Sequence, residues 1–95
     1  MDNQEPKTKF ELIRYLRQIN LDDPRKDLEW GRADEIVRNV QRVMAPYLTR
    51  PEDDNQRQYY EPVIRMIERT FEERDFRRKG FPFAVRTLVN YIEGE

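Results

Sequence analysis

The sequence predicts an all-α fold, a small single-domain bundle of four main helices with one short helix added. Apolar residues recur every three or four positions along four stretches of the chain, which is the period of an amphipathic helix. No stretch alternates apolar and polar residues as a half-buried strand would. Helix start and stop signals lie at the ends of these stretches. The main helices are predicted at 8–20, 32–48, 60–79 and 82–93, and the short helix at 24–30.

The composition favours a folded domain with a thin core. The chain has 95 residues, of which 37% are apolar, 39% are charged and 12% are aromatic. Because the apolar residues are periodic and the aromatic content is substantial, the chain differs from a disordered segment of similar charge. We expect one helical domain over residues 8–93, preceded by a flexible N-terminal tail over residues 1–7.

The stretch 33–48 has the most regular pattern in the chain. At about 100° per residue, its apolar side chains fall within an arc of roughly 120°, and its polar side chains take the opposite side. We therefore expect the remaining segments to cover this helix. The apolar stripe consists of Ala33, Ile36, Val37, Val40, Met44, Tyr47 and Leu48, with Val43 at its edge. The polar side consists of Asp34, Glu35, Arg38, Asn39 and Arg42.

Helix boundaries in the first half of the chain are indicated by caps and breakers. Residues 8–11, TKFE, have the spacing of a capping box, in which two side chains bind each other's backbone amides. Pro24 follows an Asp and predicts the start of the short helix, and Gly31 predicts a break after it. One continuous helix over 24–48 stays open as the alternative. Trp30 is expected in the core with its indole N–H near the surface.

The second half of the chain contains one strongly polar stretch and two further helices. Residues 51–58, PEDDNQRQ, include no apolar side chain and are predicted as a loop. Pro62 is expected in the first turn of the next helix, because a proline further along removes a hydrogen bond. Gly80 is predicted as the C-terminal cap of that helix. The buried faces are expected to contain Tyr60, Val63, Ile64, Ile67 and Phe71, and then Phe81, Val85, Leu88, Val89 and Ile92.

The residue types argue against catalysis. The chain has no Ser, His or Cys, which removes the usual nucleophiles, the commonest general base and the commonest metal ligands. Its three glycines form no phosphate-cradling loop, and the acidic segment 52–55 lacks the ligand spacing of a calcium loop. We expect a protein that is not an enzyme, with no catalytic residue, no metal site and no cofactor.

The sequence also lacks the signals of a membrane protein. No apolar run approaches the ~20 residues of a membrane span, and the first residues have no apolar signal-peptide core. The net charge of −1 produces no broad attraction to anionic membranes or nucleic acids. We therefore predict a cytoplasmic protein without membrane association.

Several aromatic residues lie off the apolar stripes and indicate a contact surface. Aromatic side chains and Arg are enriched in protein interfaces, so the favoured function is non-catalytic binding of another protein or of a second copy. An adaptor, a regulator and a small subunit of a larger complex all fit, and sequence does not separate them from an inhibitor. Alternatively, some helices bury two faces and absorb half of these rings. The candidate protein-binding residues are Phe10, Tyr59, Phe76, Phe83 and Tyr91.

The segment 74–86, RDFRRKGFPFAVR, has five basic side chains against one Asp, with phenylalanines between them. This pattern suits phosphate contacts with aromatic stacking, so the alternative function is a nucleic-acid-backbone-binding small helical subunit of a ribonucleoprotein or DNA-associated complex. The simpler interpretation is a basic helix end, a cap, and a loop whose phenylalanines fill the core. The candidate phosphate-binding residues are Arg74, Arg77, Arg78, Lys79 and Arg86, joined by Arg14 and Arg17.

Overall fold

The computed structural model describes residues 5–19, 21, 29–50 and 53–94. These residues form four helices and no strand, which confirms the all-α prediction. Most of the predicted short helix at 24–30 lies outside the described residues. The helices are α1 (Lys9–Arg17), α2 (Trp30–Thr49), α3 (Asp54–Glu72) and α4 (Phe81–Glu93).

The predicted capping box is present at the start of α1. The Thr8 hydroxyl accepts a hydrogen bond from the Glu11 amide at 3.1 Å, and the Glu11 carboxylate accepts one from the Thr8 amide at 3.2 Å. The end of the predicted tail also contacts the domain, because the Pro6 carbonyl accepts a hydrogen bond from Arg42 at 2.8 Å. At its other end α1 stops at Arg17, three residues before the predicted boundary at 20.

Two predictions about the start of α2 are wrong. Gly31 does not break the chain, because it is the second residue of α2. Trp30 is not a core residue: it is 49% exposed, because the first position of the helix holds its ring at the margin of the core. Glu29 has an extended backbone (φ −71°, ψ 144°), so the alternative of one continuous helix over 24–48 is also excluded.

The stripe predicted for α2 is confirmed, with one polar addition. Asn39, predicted on the polar side, is only 6% exposed. Its burial follows from the packing of α1 onto that side of α2, where Tyr15 and Glu35 are hydrogen-bonded to each other across the two helices. The buried residues of α2 are Ala33, Ile36, Val37, Asn39, Val40, Val43 and Met44.

α3 begins earlier than its apolar pattern indicates. The side chain of Asp53 caps the helix by accepting a hydrogen bond from the Gln56 amide at 3.1 Å. The predicted loop is therefore wrong for residues 54–58, which are helical. Pro62 consequently lies in the ninth position of α3 and not in its first turn. The first turn has no apolar side to bury, so its start was marked only by the Asp cap.

α3 also ends earlier than predicted, at Glu72 instead of residue 79. Its end is a Schellman motif, in which the Asp75 amide donates to the Thr70 carbonyl at 2.9 Å. Arg74 occupies the left-handed position of this motif with φ 55°, a place that usually belongs to glycine. Gly80, predicted as the cap of α3, instead precedes the first residue of α4.

The four helices form a ring around one core. α2 packs against α1 and α3, and α4 packs against α3 and α1. The apolar stripes predicted for α3 and α4 face this core: Tyr60 and Phe81 are fully buried, and Phe71 is half-buried at the margin. The core thus contains aromatic rings near both ends of α3, which determines where rings reach the surface.

Candidate interaction surfaces

The surface of the described residues offers rings and charges but no metal site. Among residues 5–19, 21, 29–50 and 53–94, no three acidic side chains are grouped closely enough to hold a metal ion. No helix within these ranges is both long and apolar enough to cross a bilayer. The predicted contact residues therefore have to be assessed by their exposure and their neighbours.

Two of the predicted contact rings project into solvent. Phe10 on α1 is 84% exposed and Phe83 on α4 is 51% exposed. Neither belongs to the cluster of buried residues that forms the core. Their apolar area is thus free to be buried by a partner, which would remove it from water.

Tyr59 and Tyr91 contact each other. Their rings stack with centroids 4.9 Å apart, and the Tyr59 hydroxyl donates to the Tyr91 carbonyl at 2.7 Å. Tyr59 also meets Tyr60 edge-on at 5.0 Å. This pair therefore joins the first half of α3 to the end of α4, while leaving 38% of Tyr59 exposed.

Phe76 packs into a cluster of rings at the opposite end of α3. It is half-buried, and its centroid lies 6.0 Å from that of Phe81 and 6.3 Å from that of Phe71. Phe76 therefore fills the edge of the core and is not an isolated surface ring.

Trp30 is a surface ring that the sequence did not identify. Its centroid lies 5.8 Å from that of Phe71, so the start of α2 meets the end of α3. Trp30 thereby extends the cluster of Phe71, Phe76 and Phe81 to the surface, and we call these four rings the aromatic end. Trp30 and Phe71 are 41 positions apart, and no sequence period indicates a contact at that distance.

Residues 74–79, which we call the basic connection, link α3 to α4. Arg74, Arg78 and Lys79 are exposed and form no ion pair with any side chain that the structure describes. Arg77 is different, because its Nε donates to Asp75 Oδ1 at 3.0 Å. This hydrogen bond holds the pKa of Asp75 below its ordinary value.

The other predicted phosphate-binding residues lie elsewhere. Arg86 is half-buried within α4, and Arg14 lines a groove between α1 and α2. Arg17 pairs with Glu93 at the last residue of α4. The basic connection precedes the first residue of that helix, and a helix of this length spans about 18 Å. The seven basic residues consequently do not form one patch.

The groove between α1 and α2 has a volume of about 620 Å³ and a polar lining of both signs. Tyr15 donates to Glu35 Oε2 at 2.6 Å, and Arg32 donates to the same carboxylate oxygen at 2.8 Å. These groups already bind one another, so the groove presents little unbalanced charge to a ligand. Its lining residues are Glu5, Pro6, Glu11, Arg14, Tyr15, Gln18, Ile19, Arg32, Glu35 and Asn39.

Tyr15 should make the stability of the domain sensitive to alkaline pH. Burial, followed by the hydrogen bond to Glu35, raises the pKa of the Tyr15 phenol from 10.0 to about 12. The folded state therefore favours the protonated phenol, and this stabilisation is complete below pH 10 and lost as the pH rises through 12. We expect the wild type to lose more stability than Tyr15→Phe between about pH 9 and pH 12.

Urea unfolding of both proteins across this range measures the difference directly. Tyr15→Phe preserves the ring and removes the titrating hydroxyl, so the deprotonation of Lys and of the other tyrosines affects both proteins alike. Parallel losses of unfolding free energy would mean that Tyr15 titrates normally in the folded state.

Comparison with known proteins adds no functional assignment. No family model matches the chain, and no curated protein or solved structure is significantly similar to it. Any function must therefore be argued from the surfaces described above.

Proposed function

We propose that the protein is a non-catalytic interaction module, an adaptor, regulator or small subunit that binds a protein partner or a second copy of itself. The observation that supports this proposal is the exposure of Phe10 and Phe83 in a domain whose core is complete without them. Full burial of an exposed Phe contributes about 1.5–3 kcal/mol. Phe10 and the exposed half of Phe83 are therefore a source of binding energy. We place this activity in the cytoplasm.

The alternative function, nucleic-acid-backbone binding, is favoured by one observation. Arg74, Arg78 and Lys79 are exposed and have no ion pair among the described residues. Three phosphate contacts would give a log–log salt dependence of about −2 to −3. This alternative is weaker, because Arg14 and Arg17 lie away from the basic connection and do not form one patch with it.

The proposed function can be tested by capture of partners with matched baits. The wild type and the double variant Phe10→Ser with Phe83→Ser are each incubated with a lysate of the cells that naturally produce the protein, once with and once without nuclease treatment. We expect the wild type alone to retain a defined protein, because the variant lacks the two exposed rings. Light scattering at micromolar concentration separately shows whether that partner is a second copy.

The fold of the double variant serves as the control. Both positions are at the surface, so its helical circular dichroism should match that of the wild type. The proposal fails if capture depends on nucleic acid and light scattering shows a monomer. Salt-sensitive binding of single-stranded RNA or duplex DNA would then support the alternative.

A further inference from the structure

The aromatic end forms a preorganised apolar surface at one end of the bundle. Trp30 is half exposed, Phe71 and Phe76 are half-buried, and Phe81 beneath them is fully buried. The ring centroids of neighbouring pairs are 5.8–6.3 Å apart. Because these rings hold one another in place, a ligand would not have to order them on binding.

Positive charge borders this surface. Phe76 belongs to the basic connection itself, so Arg74, Arg77, Arg78 and Lys79 flank it in the chain, against one acid, Asp75. The whole chain has a net charge of −1, so this excess of cations is local to the basic connection. An apolar patch beside exposed cations is complementary to a ligand that combines apolar groups with negative charge.

The charge distribution favours a peptide over a nucleic acid. A strand of nucleic acid repeats its negative charge along its length, and Glu72 and Glu73 are exposed directly before the basic connection. Glu73 is partly neutralised by Arg69 at 3.4 Å, whereas Glu72 has no ion pair with any described side chain. A peptide needs only one or two carboxylates beside an apolar anchor, which matches the small number of exposed cations here.

We propose that the aromatic end and the basic connection bind an acidic peptide segment, in which an aromatic or aliphatic side chain is flanked by Asp or Glu. The apolar side chain packs against Trp30 and Phe76, and the carboxylates pair with Arg78 and Lys79. This inference rests on the proposed function as a protein-binding module and specifies the chemistry of the partner.

The probe is a display library of random 12-residue peptides, selected against the immobilised full chain. We expect the enriched sequences to combine Asp or Glu with a large apolar residue. Trp30 is the one Trp in the chain, so a synthetic peptide from the enriched set should change its fluorescence on binding. Anisotropy of the same peptide with a fluorescein label then measures affinity for the variants.

A pair of charge reversals isolates the contribution of the basic connection. Arg78→Glu with Lys79→Glu should weaken binding of the acidic peptide by about tenfold or more, since it reverses two cations at the surface. The control, Arg57→Glu with Arg65→Glu, changes the net charge equally at two positions on α3, outside the basic connection, and should alter affinity by about twofold or less. Circular dichroism verifies that both variants keep their helices.

Each contrary result overturns the inference in a recognisable way. Absence of enrichment, or enrichment of sequences without acids, excludes an acidic peptide as the ligand. If the two charge-reversal variants bind the peptide with equal affinity, the basic connection is not part of the binding site. If oligouridylate changes the fluorescence of Trp30 and no peptide does, the aromatic end is a nucleic-acid site.

The inference and the proposed function can fail separately. Suppose that peptide binding is lost in Phe10→Ser or Phe83→Ser and retained in Arg78→Glu with Lys79→Glu. In that case the protein is a protein-binding module, but its site is not the aromatic end. The same conclusion follows if the peptide selection fails but partner capture depends on Phe10 and Phe83. The proposed function itself falls only with the capture and light-scattering results.

Discussion

Replacement of Val40 by Asp is expected to unfold the domain. Val40 lies in the middle of α2 and is 1% exposed within the apolar cluster that all four helices share. An unpaired carboxylate at such a position costs about 3–5 kcal/mol. The lost burial of the Val side chain adds about 1.5–3 kcal/mol to this cost. Domains have only roughly 0.05–0.15 kcal/mol of stability per residue, so the combined loss is of the same order as the whole stability of so small a protein. Thermal unfolding followed by circular dichroism should show no cooperative transition for Val40→Asp.

Ala45→Asp is the matched control for this experiment. Ala45 is an exposed residue of the same helix, five positions further on, so the new carboxylate remains in water. Its expected cost is about 1 kcal/mol or less, from lower helix propensity and the negative end of the helix dipole. Similar melting of the two variants would mean that the buried stripe of α2 faces solvent.

The stripe that includes Val40 could be predicted because burial follows the helical period. An amphipathic helix buries one side, and the apolar positions of α2, α3 and α4 are those that the structure buries. Asn39 shows the limit of this rule. Its polar amide placed it outside the stripe, but α1 packs over that side of α2 and covers it. Such burial depends on the position of a second helix, and the apolar period of the first helix does not predict that position.

The ends of α3 were harder to predict than its middle, because both depend on local hydrogen bonds. At its start, the Asp53 side chain caps turns that have no apolar side. At its end, Arg74 takes a left-handed conformation that glycine usually adopts, so the chain turns six residues before the glycine that looked like the cap. An arginine is a weak signal for a turn, and only the backbone contacts reveal it.

The candidate site was partly visible in the sequence. The basic connection could be found as a run of charge, and Phe10 and Phe83 as rings outside the stripes. Trp30 could not, because its neighbour in the aromatic end belongs to another helix. The same packing separates Arg17 from the basic connection. Sequence therefore identified the groups that could bind a partner, whereas the ring of helices determined which of them act together.

Gly80→Ala is expected to be the second most damaging change, although it adds one methyl group. A Cβ at Gly80 would overlap both the side chain and the carbonyl oxygen of Asp75. Asp75 has little freedom to move away: its carbonyl accepts from the Phe81 amide at 2.6 Å, and its carboxylate accepts from Arg77 at 3.0 Å. Relief of the overlap breaks at least one of these bonds and displaces the start of α4, at a cost of about 2–3 kcal/mol.

Gly31→Ala adds the same methyl group where, among the described residues outside its own turn of helix, no atom lies within 4 Å. Gly31 lies in the first turn of α2, so alanine should stabilise the domain slightly, by about 0.5 kcal/mol, through its better helix propensity. The two variants should therefore lie on opposite sides of the wild type in urea unfolding, with midpoints separated by the equivalent of about 3 kcal/mol. Equal midpoints would contradict the close approach of Gly80 to Asp75. In that case the turn that holds the basic connection beside the aromatic end would be looser than described, and Arg78 and Lys79 would no longer be positioned by it.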